Sequence, residues 1–169
     1  MGTDKATLVV AGEPCWQRQL RILKELRPEY LWVSARARPA WCPADMEVIL
    51  DAAPSRGPLS GLAAGLARLQ TSHLLALAID LPRMTTDRLQ QLWALAQPGK
   101  SVVPHNDSSF EPLCAIYPLE AAVGANEALQ RNQLSLQQLC KTLLARNQLI
   151  LHQVAACDRQ FYFNANEPF

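Results

Sequence analysis

The sequence predicts an α/β fold built on a doubly wound, mixed but mostly parallel sheet. Three observations carry the prediction. Strand-like and helix-like segments alternate early in the chain, and antiparallel pieces come late. The stretch from Met46 to Pro82 reads as strand, helix, strand, and its two apolar runs, Met46–Leu50 and His73–Ile79, look covered on both faces. Each run ends in an acid, Asp51 and Asp80. Ligands of such sheets bind beyond the carboxyl ends of the strands, so the two carboxylates are expected on one rim.

Length and charge bound the rest. A chain of 169 residues with 49% hydrophobic content is expected to form one domain over 1–169 with a sizeable core. Its 16 basic and 15 acidic residues are interspersed. No basic stripe of the kind that tracks phosphates is present, so nucleic acid is not an expected partner. Five cysteines at irregular spacing, Cys15, Cys42, Cys114, Cys140 and Cys157, include no Cys-x-x-Cys pair. That argues for reduced thiols rather than a disulfide framework or a zinc site. No apolar run approaches the ~20 residues of a membrane span, and no secretory leader is visible, so a cytoplasmic protein without a membrane partner is expected.

Taken in order, Ala6–Val10 is a β-prone run followed by a turn at Ala11-Gly12-Glu13. Pro14 opens a helix to about Leu26, with Trp16, Leu20, Leu23 and Leu26 as its buried stripe and Pro28 as its stop. Tyr30–Val33 reads as a strand. Within the central unit, Pro58 suits a first helical position, and Leu59, Leu62, Ala63, Leu66 and Leu69 recur at helical spacing. Thr85 or Thr86 caps a helix to about Ala96. Ser101–Pro104 is a short strand, His105–Ser109 a polar loop and Glu111–Tyr117 a returning strand. Pro118 begins a helix to about Gln130, and Ser135 caps another carrying Leu136, Leu139, Leu143 and Leu144. Leu149–Val154 and Phe161–Phe163 are β-prone.

The rim residues admit two readings. Asp80, followed at once by Leu81-Pro82, either caps a turn, the commoner role for aspartate there, or holds Mg2+. A second acid on the rim and a small-residue helix start after Gly57, where backbone N–H groups face outward, favour a ligand. Gly61 and Gly65 inside a helix each cost about 1 kcal/mol relative to alanine, which implies close approach of a ligand or a neighbouring element. Helix packing alone would account for Gly65. No Ser-His-Asp or Cys-His arrangement is legible, and His73, at a strand start, reads as structural.

At this point several segments resemble one family in order along the chain. Met1-Gly2-Thr3-Asp4-Lys5-Ala6 resembles the tail of the signature L-A-G-G-x-S-x-R-M-G-x-D-K of molybdenum cofactor guanylyltransferases and related nucleotidyltransferases. Gly12-Glu13-Pro14 with Arg18-Gln19 is similar to the next segment, and Gly57-Pro58-Leu59-Ser60-Gly61 to its G-P-L-x-G motif. Asp80-Leu81-Pro82 resembles its D-x-P, and Asn164-Ala165-Asn166-Glu167-Pro168 its closing N-x-N-x-P.

The resemblance implies a Rossmann-like fold of the nucleotide-diphospho-sugar transferase type and a reaction moving GMP from GTP to the phosphate of molybdopterin. It implies roles as well. Lys5 would neutralise the triphosphate, a point-charge task that lysine suits, and Asp80 would carry Mg2+. Ser34, Asp51, Gly57, Pro58 and Gly61 would bind the nucleotide. Family members often have asparagine at Ser34, which puts nucleotide preference in question. Glu111, Asn164 and Asn166 would face the second substrate, with His105 beside them. Protein partners would come from cofactor synthesis or the molybdoenzymes. The acceptor phosphate, already anionic, needs no protein nucleophile, so catalysis reduces to positioning and charge neutralisation. Met1 aligns inside the signature, so the first strand and its glycine-rich loop are expected upstream. Losing about five buried side chains forfeits on the order of 10 kcal/mol, comparable with the whole stability of a domain. Two alternatives stand beside this reading: a cytidylyl- or other NTP transferase of the same fold acting on another phosphorylated acceptor, and a degenerate binding homologue without activity.

Overall fold

The computed structural model describes residues 4–51, 55–107 and 109–165. Asn166 therefore lies outside the described residues. The chain enters through a 3-10 turn, Lys5–Thr7, followed by the two-residue strand β1 (Val9–Val10), which pairs antiparallel with β2 (Glu13–Pro14). The expected strand over Ala6–Val10 thus shrinks to its last two residues. The Asp4 side chain accepts the Ala6 N–H at 3.0 Å and buries Ala6, and that local cap overrides a weak β-propensity.

Helix α1 (Cys15–Glu25) buries Leu20 and Ile22, with Leu23 and Leu26 partly covered. Strand β3 (Trp32–Ala35) pairs parallel with β4 (Glu47–Leu50), and α2 (Pro58–Arg68) crosses over to β5 (His73–Leu77). The remaining elements are α3 (Thr86–Trp93), β6 (Ser101–Asn106), β7 (Ser109–Phe110), β8 (Cys114–Pro118), α4 (Ala121–Gln130), α5 (Leu136–Ala145) and β9 (Leu149–Gln153). Thr85 and Ser135 cap α3 and α5 through their hydroxyls, as their positions predict. Several expectations shift: the strand expected at Tyr30–Val33 is Trp32–Ala35, and Pro118 ends β8 instead of beginning α4, which starts at Ala121. His105 and Asn106 extend β6 into a hairpin with β7 instead of lying in a loop. The β-prone Phe161–Phe163 run falls mostly in a 3-10 helix, Ala156–Tyr162, because Arg88 binds Asp158 with two N–H groups (2.9 and 2.6 Å) and lies 4.7 Å over the Phe161 ring.

The larger sheet has the order β5-β8-β6-β7, with β9 also paired to β6. Strand β8 is antiparallel to both neighbours, so β5 and β6 run the same way, and β9 runs with them. Residues alternate between two helical layers. Val103, Ala115 and Tyr117 pack with α2, α4 and α5, while Val102 and Ile116 pack beside Leu92 of α3 on the opposite face. That is the doubly wound arrangement the element order predicts. No helix among the described residues is long and apolar enough to cross a membrane.

Among the described residues the two sheets do not join: strand β3 pairs with β4 alone, and β5 with β8 alone. Between the facing edges runs an apolar cleft, the main part of a cavity of about 1060 Å³, walled by Leu23, Val33, Leu62, Leu69, Leu74 and Leu75. All five residues of β8 are buried, whereas all five of β5 are only half-buried, since one edge of β5 looks into the cleft.

Candidate active site

The rim forms where the carboxyl ends of β3, β4 and β5 open into the upper part of this cavity. Asp80 leaves β5 three residues past its end, and the turn that carries it is held from two directions. Its carbonyl accepts the Ala165 N–H at 2.8 Å, and the next carbonyl, of Leu81, accepts Gln19 Nε2 at 2.7 Å. Gln19 is a buried helix residue and Leu81 a core residue, so neither can drift. The Asp80 side chain keeps about a sixth of its surface exposed, and Lys5 Nζ donates to its Oδ2 at 3.0 Å. Lys5 is fixed in turn by Asp4, which caps the 3-10 turn and accepts Trp41 Nε1 at 2.9 Å, with Trp41 stacked on Trp16 of α1. A cation and an anion distant in sequence are thus presented together.

Across the cavity mouth, Asp51 follows β4. Its N–H bonds the Ala35 carbonyl at 3.1 Å, Ser34 Oγ lies 3.4 Å from its Oδ1, and Ser55 Oγ donates to its Oδ2 at 2.6 Å. The N-terminus of α2 closes the group. Gly57 precedes it with φ +79°, a conformation that glycine adopts without steric cost, and Pro58 takes the first helical position. Gly61 passes so close to β3 that a Cβ there would sit 2.6 Å from Ser34 Oγ and 3.4 Å from Asp51 Oδ1. Gly65 is explained by packing, since a Cβ would meet Leu74 Cδ2 at 3.2 Å. Ser34, Asp51, Gly57, Pro58, Gly61 and Asp80 all line the one cavity.

The expected second-substrate side adjoins Asp80. Following the β5–β8 register outward past the Ala78–Leu113 bond, Asp80 and Glu111 leave the same end of the strand pair. Glu111 Oε1 accepts Asn106 Nδ2 at 2.7 Å, and Ser109 Oγ donates to Asn106 Oδ1 at 2.9 Å. Asn164 is brought beside the Asp80 turn by the Ala165 bond. His105 stands edge-on to Phe110 with its Nδ1 buried and without a hydrogen-bond partner among the described residues. His73 sits at the far end of β5, against Trp93, hydrogen-bonded to Ser72 Oγ and the Gln97 carbonyl, which fits a structural role.

Some supporting residues carry no sequence signal for their role. Ser55, which holds Asp51, and Trp41, which holds Asp4, matter only through contacts that the local pattern does not encode. Cys15 is the thiol nearest this chemistry. Burial pushes its pKa up and the Asp80 charge adds to that, with Arg18 opposing, which disfavours the thiolate.

The donor set limits which metal fits. Among the described residues no three His, Cys, Asp or Glu side chains gather into a ligand cluster. Asp80 is a lone carboxylate, with one oxygen on Lys5 and no partner for the other among the described residues. That suits an ion which takes most of its shell from water and substrate phosphates, as Mg2+ does, and not a zinc or calcium cage.

Comparison with known proteins identifies the family. The family model described as MobA-like NTP transferase domain matches residues 1–149. A protein of Opitutus terrae named "Probable molybdenum cofactor guanylyltransferase" is 31% identical over 171 residues, covering 99% of this chain and 85% of its own. The "Molybdenum cofactor guanylyltransferase" of Cereibacter sphaeroides is 33% identical over 129 residues, covering 72% of this chain and 63% of its own. In fold, the chain superposes on the molybdopterin-guanine dinucleotide biosynthesis protein A of Archaeoglobus fulgidus with a TM-score of 0.66 at 19% identity, over 99% of this chain and 86% of that one. An Aquifex aeolicus protein gives a TM-score of 0.75 at 15% identity, over 91% and 81%. With that match and those relatives set beside the rim just described, the chain belongs to the MobA-like NTP transferase domain family and is a nucleotidyltransferase.

Proposed function

We propose that the chain moves GMP from GTP to the phosphate of molybdopterin and releases pyrophosphate. One observation carries the assignment of roles: Lys5 Nζ and Asp80 Oδ2 meet at 3.0 Å on the rim that also holds Ser34, Asp51 and Gly61. The names of the relatives support GTP and molybdopterin as the substrates. In this reading the α2 N-terminus, with Gly61 leaving room, receives the nucleoside. Lys5 neutralises the triphosphate. Glu111 and Asn164 orient the acceptor. The acceptor oxygen attacks the α-phosphorus, the bond to the bridging oxygen breaks, and pyrophosphate departs with that electron pair. Bound at Asp80, Mg2+ would add positive charge where the leaving group forms. A cytoplasmic setting and partners from cofactor synthesis go with this reading.

Pyrophosphate release from GTP, Mg2+ and molybdopterin tests it. Asp80→Asn should lower kcat by at least 100-fold. The melting temperature should move by only a few degrees, because a pair with Lys5 nearly half-exposed contributes about 0–1 kcal/mol. A variant transferring at the parent rate would remove Asp80 from the chemistry. Melting shifts with GTP, CTP, ATP and UTP distinguish the guanylyl reading from other nucleotides.

A further inference from the structure

Helices α4 and α5 pack in the same apolar layer as α2. They approach each other closely: a Cβ at Gly124 would meet Leu143 Cδ2 at 3.3 Å and Leu139 Cδ1 at 3.6 Å, and Arg146 pairs with Glu127 at 2.9 Å. The turn between them starts from a fixed helix end. Asn132 has φ +55°, its N–H bonds the Leu129 carbonyl at 3.1 Å, and the Gln133 N–H bonds the Ala128 carbonyl at 2.8 Å, the double closure of a Schellman cap. Two side chains tie loops of the rim to this frame, one on the nucleotide side and one on the acceptor side.

Arg56 is the first. It precedes Gly57, where α2 begins without a side-chain cap. A Cβ on Gly57 would meet nothing within 4 Å, so the turn is held through its neighbours. Ser60 is buried; its Oγ accepts the Arg56 N–H at 2.9 Å, and its own N–H bonds the Gly57 carbonyl at 3.0 Å. Arg56 Nη1 then donates to the Leu129 carbonyl at 2.7 Å, beside the bond from Asn132. That carbonyl lies in the last turn of α4, where the negative end of a helix favours a cation. Gln137, in the first turn of α5, is the second. Its Nε2 donates to the Phe110 carbonyl at 2.8 Å and its Oε1 accepts the Phe110 N–H at 3.0 Å. One amide thus meets both backbone groups of a residue on the two-residue strand β7, as a neighbouring strand would. The next residue is Glu111, whose N–H bonds the Pro104 carbonyl at 2.8 Å.

We propose that Arg56 and Gln137 are positioning residues, each setting the affinity for one of the two substrates. Arg56 fixes the Gly57 turn and with it the α2 N-terminus that receives the nucleoside. Gln137 fixes Phe110 and with it Glu111 on the acceptor side. The inference rests on the transfer reading for which loop meets which substrate. Its physical ground is preorganisation. An uncapped helix start and a two-residue strand carry little order of their own, so each loop depends on its clamp. Without the clamp the empty loop spreads over more conformations, and the substrate that orders it binds more weakly. Because both clamps hang on one rigid frame, losing one loosens its own loop and spares the other.

The test uses the full chain with GTP, Mg2+ and molybdopterin, and the variants Arg56→Met and Gln137→Met, which keep an apolar stem and remove the polar head. Arg56→Met should raise the KM for GTP about tenfold and leave the KM for molybdopterin within about twofold of the parent. Gln137→Met should do the reverse, and amide exchange at Phe110 should speed up about tenfold in that variant alone. Arg56→Lys, which keeps a donor, should bring the KM for GTP back to within about threefold of the parent. Both methionine variants should melt within about 4 °C of the parent, since damage to the shared frame would move Tm and both KM values together. A parent that releases no pyrophosphate would overturn the transfer reading and this inference with it. With an active parent, the inference alone falls on any of three results: unchanged KM values, both KM values rising in one variant, or Arg56→Lys no better than Arg56→Met.

Discussion

Replacing Gly61 with alanine separates the binding role of the α2 N-terminus from its role in folding. The added Cβ would lie 2.6 Å from Ser34 Oγ and 3.4 Å from Asp51 Oδ1. The second distance is ordinary contact, so the conflict is with one hydroxyl, and Ser34 Oγ can rotate away on a partly exposed strand end. Rotation gives up the 3.4 Å contact with Asp51, a long hydrogen bond worth no more than about 1 kcal/mol. Alanine inside a helix returns up to about 1 kcal/mol relative to glycine. The two nearly cancel, and for a domain of this size 1 kcal/mol moves Tm by about 2–4 °C. Gly61→Ala should therefore melt within about 4 °C of the parent. Its methyl group, however, occupies the space between α2, Ser34 and Asp51 that the nucleoside is proposed to use, and GTP affinity should fall at least tenfold. Scanning calorimetry and titration with GTP measure the two effects separately. Unchanged GTP affinity would refute the placement of the nucleoside. A Tm loss beyond about 8 °C would show that the backbone, not the hydroxyl, had to move.

Two further expectations concern the buried acidic protons and the thiols. Burial pushes the Cys140 thiol up from 9.0 to about 12 and also raises Cys114 and Tyr162. With the folded pKa above the unfolded one, this stabilisation is complete below pH 9 and is lost as pH rises toward 12. At pH 10.5 Cys140 alone should cost about 2 kcal/mol. Urea midpoints at pH 8 and 10.5 test this, Cys140→Ala should reduce the difference, and equal midpoints would contradict it. Of the five cysteines, all free, only Cys157 is exposed. Ellman's reagent should consume one thiol quickly in the native protein and five after denaturation, and a second fast thiol would show that one of the four core sites opens.

The sequence by itself determined the local elements and the acids that end them. Pro58 after Gly57, the leucine spacing to Leu66 and the hydroxyl of Ser135 act within a few residues, so α2 and α5 form where pattern and caps place them. Asp51 and Asp80 each follow a strand, and the fold brings both to one cavity. Only the tertiary structure decided what those acids meet. Lys5 reaches Asp80 across 75 positions, Gln19 reaches Leu81 across 62, and neither contact leaves a periodic trace in the sequence. The 3-10 segments at Lys5–Thr7 and Ala156–Tyr162 contradict their β-prone composition because a side-chain cap in one case, and the Arg88–Asp158 pair in the other, outweigh propensities of a few tenths of a kcal/mol.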